Sequence, residues 1–187
     1  MLLSEQDLQR YCKEIDQQID AAKTIDDLFS CIVNAPFKDV SKVVSLDLGI
    51  IVLLLVNKKT GMLDRVALAD TEMAKGAVEM STIPFEEIKI PVDYTDNILI
   101  QALQSVEPKT TDDWQYLFNP ILTPKQAQFN QAGAGIECSV AYPLNIKDGG
   151  ALIFSYFQPP RSITPLHDLF MKTYAESVAL RLSKFLK

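Results

Sequence analysis

The chain has 187 residues, 48% of them hydrophobic and 22% charged, with a formal net charge of −6. That is enough for one domain with a real core, and the acidic balance argues against the basic surfaces that bind nucleic acid or anionic lipid. Three scattered cysteines (Cys12, Cys31, Cys138), none in a Cys-x-x-Cys pair, and a single histidine, His167, argue against a disulfide framework and a zinc site. Met1-Leu2-Leu3 leads directly into charged residues, with no signal-peptide pattern. The longest apolar run, 48–56, falls far short of the ~20 residues of a membrane helix. A soluble, cytoplasmic protein with reduced thiols is expected.

In chain order, Ser4 caps a first helix with Asp7 at its third position, and Leu8, Tyr11, Cys12, Ile15 and Ile19 form its apolar stripe. Thr24 caps a second helix that Pro36 ends or breaks, and 37–44 reads as another turn or two. The β-branched and leucine-rich run 48–56, a polar turn ending at Gly61, and 62–69 form a hairpin. Its first strand is apolar on both faces and needs cover on both sides. Residues 70–81 hold a short helix or a loop; 87–92 alternates as a short strand, kept to an edge by Pro91.

A helix follows over 97–106, ended by Pro108. Residues 109–134 are a long insertion in which Thr123 and Pro124 start a helix that the glycines at 133 and 135 stop. The last third is more regular: a strand over 136–144, a turn through Gly149-Gly150, a strand over 151–157, and a helix of about 23 residues opened by Thr164-Pro165. The fold class is α+β: a central antiparallel sheet of five to six strands, the N- and C-terminal helices on one face, loops and short helices on the other. Residues 1–24 form an N-terminal helical segment ahead of a domain over 25–187.

The final block, Gly135-Ile136 through Tyr142-Pro143-Leu144, then Gly149-Gly150-Ala151-Leu152-Ile153-Phe154, then Ile163-Thr164 leading into the helix, resembles the GAF domain family. This family comprises small-molecule-sensing modules of signalling proteins. The hairpin over 50–69 and the helix over 97–106 are similar to its first strands and mid-domain helix, so the resemblance covers roughly residues 25–186. PAS domains share the general architecture. The marks of the chemically defined subfamilies are missing. The stretch after Phe157 lacks the Asn-Lys and Asp-Glu signature of cyclic-nucleotide members. Cys138 is followed by Ser139 rather than the histidine common at bilin attachment sites. Residues 109–134 hold no cysteine of the kind used by members that reduce free methionine sulfoxide.

The resemblance places a ligand cavity beside residues 109–134. Asp113 and the only tryptophan, Trp114, read as a carboxylate and an aromatic lid, or as a helix cap and a core anchor. Asn130 and Gln131 present amides to the cavity, or simply end a polar helix. Strand alternation puts Glu137 with Ser139 and Ala141, and Tyr142 with Cys138 and Val140. Glu137 lines the cavity or an exposed edge, and Tyr142 faces the cavity or the helix layer. His167, in a first helical turn, reads as a capping or surface residue rather than a metal ligand. No acid–base pair, nucleophilic triad or phosphate loop stands out.

The reading that follows is a non-enzymatic GAF-like sensory or regulatory domain. It binds an unidentified small molecule through Asp113, Trp114, Asn130, Gln131, Glu137 and Tyr142, with no cofactor or metal and with neither nucleic acid nor membrane as partner. A homodimer through the terminal helices is expected, and a ligand-free dimerisation or scaffold module is the alternative.

Overall fold

The computed structural model describes residues 3–186; Met1, Leu2 and Lys187, which the reading above places at the chain's ends, lie outside it. A hairpin of β1 (Leu48–Asn57) and β2 (Met62–Leu68) pairs through β1 with β6 (Gly150–Tyr156). The six-stranded antiparallel sheet is completed by β3 (Ile90–Pro91), β4 (Lys109–Thr111) and β5 (Cys138–Leu144), in the order β3-β2-β1-β6-β5-β4. The expected edge strand is shorter than its alternation suggested. It pairs only Ile90 and Pro91 with β2, because a 3-10 turn at Phe85–Glu87 occupies the chain before it.

Period-two alternation divides the core into two halves. On one face Ile51 and Leu53 of β1, with Leu48 brought to the same side by the register shift between Leu48 and Ile50, join Leu152, Phe154 and Tyr156 of β6 beneath the helices. Those helices are α1 (Glu5–Asp20), α2 (Ile25–Asn34) and α8 (Pro165–Phe185). On the other face Ile50, Val52 and Leu54 join Ala151 and Ile153. They are covered by shorter elements: α4 (Glu72–Glu79), α5 (Ile98–Ser105), α6 (Gln115–Phe118) and α7 (Pro124–Ala134). A further helix, α3 (Val40–Ser45), links α2 to β1.

The helix face is filled by aromatic packing. Phe154 meets Phe170 and Tyr174 edge-on at 5.9 and 6.1 Å, and Phe170 stacks between Tyr11 and Tyr174. The Tyr11 hydroxyl donates to the Pro36 carbonyl at 2.5 Å and the Tyr174 hydroxyl to the Ile32 carbonyl, so both buried hydroxyls are satisfied. Leu8, Tyr11, Ile15 and Ile19 of α1 and Phe170, Val178 and Leu182 of α8 are all buried within this chain. The stripes that suggested a homodimer through the terminal helices therefore already have partners, and that expectation finds no support in these faces. No helix among the described residues is long and apolar enough to cross a membrane.

His167 is a capping residue. Its Nδ1 accepts from the Thr164 backbone N–H at 3.1 Å and lies 2.8 Å from the Thr164 hydroxyl, while Nε2 lies 3.1 Å from the Leu46 carbonyl, which it can only donate to. The ring is buried against Tyr156. Burial lowers its pKa, against the bond to Leu46 and the charges of Asp47 and Asp168. The unfolded chain therefore takes up this proton first, and the stability the neutral ring contributes is complete above about pH 6.5 and lost as pH falls below it. Thermal unfolding between about pH 7.5 and 5.5 should show a drop that shrinks in His167→Gln, which keeps a capping side chain at this position. An equal drop in both proteins would reject His167 as its source.

Candidate functional site

The cavity lies on the face that carries the short elements. Ile50 and Val52 of β1, Arg65 and Leu68 of β2, and Ile153 and Ser155 of β6 form its floor. Trp114, Leu117, Phe118 and Asn130 form one wall; Ala77, Val78, Ser81, Phe85 and Ile88 form the other. Its volume is about 50 Å³. That suits a few water-sized groups and falls short of the roughly 300 Å³ of a pocket enclosing a drug-sized ligand. A groove of about 400 Å³ between α5 and the β5–β6 turn is larger, but its polar side chains, Gln104, Asn145, Lys147 and Asp148, are not buried.

The wall at 109–134 is held by local hydrogen bonding. Gln131 is its brace: Oε1 accepts from the Trp114 backbone N–H at 3.0 Å, and Nε2 donates to the carbonyls of Asp112 and Ile136 at 2.9 and 3.1 Å. Asp113 caps α6 by accepting from Gln115 N–H at 2.8 Å. Asn97, fully buried, caps α5 through the Leu99 N–H and donates to the carbonyls of Leu117 and Asn119. Thr123 and Gln126 form a capping box at the start of α7, and Gly135, with φ of 64°, ends that helix in the left-handed region.

The opposite wall rests on α7 through two glycines. A Cβ on Gly76 would stand 2.5 Å from the Gly133 carbonyl oxygen, and one on Gly133 would stand 2.8 Å from that of Gly76. Only hydrogen at both positions lets α4 and α7 approach this closely. Val78 and Met80 at the end of α4 remain exposed.

Of the six residues expected at the site, Trp114 and Asn130 line the cavity. Trp114 is buried, packs on Phe118 at 5.5 Å between ring centres, and donates its Nε1–H to the Ser139 hydroxyl at 2.9 Å. The Asn130 amide, turned so that its nitrogen faces carbonyls, donates to Gln126 and Met80. Asp113 and Gln131 support the wall from behind and do not line the cavity. Glu137 is exposed beside β5. Tyr142 lies on the helix face against Phe154, because it shares the parity of Cys138 and Val140. Glu137 and Tyr142 are thus apart from the cavity.

Two polar groups on the cavity floor were not anticipated. Ser155 on the cavity floor shares a 2.8 Å hydrogen bond with Ser139, continuing a chain from the Trp114 indole. Arg65 is buried, with Nη2 donating to the Leu117 carbonyl at 3.4 Å and the guanidinium 4.5 Å from the Phe118 ring centre. Desolvation lowers its pKa to about 10, which leaves it charged at neutral pH. The available sequence signal was its parity with Leu63 on β2, which puts both on one face.

The three cysteines are free; burial pushes the Cys12 and Cys138 thiols up to about 11, which leaves little reactive thiolate at neutral pH. None lines the cavity, and among the described residues no group of three or more His, Cys, Asp and Glu side chains is placed to hold a metal.

No protein-family model and no curated protein sequence matches the chain. Solved structures do. The GAF domain of a phosphoenolpyruvate-protein phosphotransferase from Coxiella burnetii aligns over 97% of this chain and 96% of its own at TM-score 0.66 and 13% identity. The phycoerythrobilin-bound GAF domain of a cyanobacterial phytochrome aligns over 98% of each chain at TM-score 0.61 and 12% identity. The fRMsr of Staphylococcus aureus, in its reduced form, aligns over 94% of this chain and 95% of its own at TM-score 0.57 and 10% identity. The chain has the GAF fold.

Gln131→Ala should lower stability by about 1–3 kcal/mol, since it leaves the Trp114 N–H and two carbonyls to find new partners. It should also shift the emission of this single tryptophan to longer wavelength as the wall loosens. Unchanged emission and stability would show that Gln131 does not hold the wall.

Proposed function

We propose, from the GAF fold as premise, that this chain is a non-enzymatic sensory or regulatory domain that binds a small molecule in the cavity between the sheet and residues 109–134. The observation that carries the reading is an apolar cavity onto which a charged guanidinium, a hydroxyl and an amide converge, at Arg65, Ser155 and Asn130. Apolar walls with a few placed polar groups are how small-molecule sites bind and orient a ligand. A bilin-bound domain among the similar structures supports a ligand role for this fold. The buried, protonated cysteines favour a binding role over thiol chemistry.

The sheet offers a route from ligand to helices. Along β6, Ile153 and Ser155 line the cavity, while Phe154 and Tyr156 pack against Phe170 and His167 of α8. A ligand that displaces β6 by a fraction of an ångström repacks α8 directly. Occupancy then biases the terminal helices to the extent that the ligand prefers one packing. The ligand-free dimerisation module has no comparable observation behind it, because the terminal helices bury their apolar stripes within the chain.

Native mass spectrometry of the protein purified from its native host tests the reading, because ligand and subunit count are seen together. The expected spectrum carries a small-molecule mass increment on the protomer that is lost in Ala77→Leu, which fills the cavity. An increment retained in that variant places the molecule elsewhere and overturns the assignment.

A further inference from the structure

Packing accounts for the cavity's apolar lining but not for Arg65. A guanidinium has five N–H donors. Among the described residues, Arg65 makes one hydrogen bond, the long one to the Leu117 carbonyl, and its buried Nε has no partner. No carboxylate pairs with it among the described residues. Its neighbour Asp64 has the opposite parity and engages Asn57 and Lys89. Phe118 and Phe85, at 4.5 and 6.0 Å, give the cation aromatic contact without counter-charge. Burying a charge in this way costs several kcal/mol unless a partner of opposite sign is supplied.

A second donor lies on the same floor. In the chain Trp114 Nε1–H, Ser139, Ser155, the indole only donates, and the two hydroxyls share a single hydrogen bond. Two hydroxyl hydrogens are therefore present and only one has an acceptor among the described residues. If Ser139 donates to Ser155, the free hydrogen belongs to the residue that lines the cavity. Arg65, and in that arrangement Ser155, offer hydrogens for which the described residues supply no acceptor.

We propose that the ligand is a singly charged carboxylic acid with a compact apolar body, its carboxylate held by Arg65 and Ser155 and its body enclosed by Trp114, Phe118, Ile153 and Phe85. The inference rests on the ligand-binding reading above and gives it a chemical class. One guanidinium matches one carboxylate, with the planar fork suited to two parallel hydrogen bonds. A phosphate monoester, carrying close to two charges at neutral pH, would keep an uncompensated charge among apolar walls. The volume of about 50 Å³ admits the body only when the wall of α4 and residues 80–88 moves outward. That wall carries the exposed Val78 and Met80 at the end of α4.

Trp114 makes the test optical. The full chain is titrated with benzoate, hexanoate, inorganic phosphate and benzamide, the neutral counterpart of benzoate, while tryptophan emission is followed. A saturable change is expected with a carboxylate, at least about tenfold weaker with benzamide, absent with phosphate, and lost in Arg65→Met. Ligand-free Arg65→Met should be as stable as the parent or more so, since a methionine removes an uncompensated buried charge at similar volume. Marked destabilisation of that variant would show that the chain itself compensates Arg65, and would overturn the proposal. Equal binding of benzoate and benzamide, or acid binding that survives Arg65→Met, overturns the carboxylate assignment and leaves a ligand site standing. No saturable change with any probe, charged or neutral, overturns the proposal and the binding reading together.

Discussion

The structure depends on β1 being buried on both faces. Ile51 and Leu53 point one way and Ile50, Val52 and Leu54 the other, and all are at most 5% exposed. At roughly 25 cal/mol per Å² of apolar surface, neither face can be left to water. The chain must therefore bring a layer to each side, and the two layers are built differently. The amphipathic helices α1, α2 and α8 close one side with interleaved aromatics. The other side is closed by the helices α4 to α7 and the turns between them, none longer than the 11 residues of α7.

That asymmetry is where the cavity comes from. Long helices can slide and rotate until their ridges fill the sheet's grooves, and the helix face packs densely. The short elements are fixed by polar contacts instead: Asn97 on Leu117 and Asn119, Gln131 on Trp114, and the paired glycines between α4 and α7. These contacts set positions that side-chain packing alone would not choose, and a gap remains above β1 and β6. The gap alone would be a modest packing defect. With a guanidinium on its floor, it has the chemistry of a site.

The parts readable from the residues are those whose physics is local. Ser4 and Thr24 signal helix starts because a cap needs only its own first turn, and the parity of β5 correctly separates Glu137, Ser139 and Ala141 from Cys138, Val140 and Tyr142. Which face would carry the cavity is not local. It depends on where α4 to α7 fold back, which leaves Tyr142 under the helices. The strand β4 has three residues and no pattern of its own, and it exists through pairing with β5. Arg65 shares the parity of Leu63, yet a strand arginine reads as exposed until the wall at 72–88 covers it. Trp114 and Asn130 line the cavity beside residues 109–134, where the family resemblance points, and the supporting roles of Gln131 and Asp113 become visible only with the hydrogen bonds.

On the proposal above, the positive charge on the cavity floor awaits a carboxylate. The most direct measurement is the nitrogen–proton correlation NMR signal of the Arg65 side-chain Nε–Hε group, assigned by its absence in Arg65→Met and followed while benzoate is added. The Hε resonance should move downfield saturably as Nε gains its first acceptor, with no such displacement for benzamide. An Arg65 signal that stays put while Trp114 responds to benzoate would contradict it, because the acid would then be bound without the arginine.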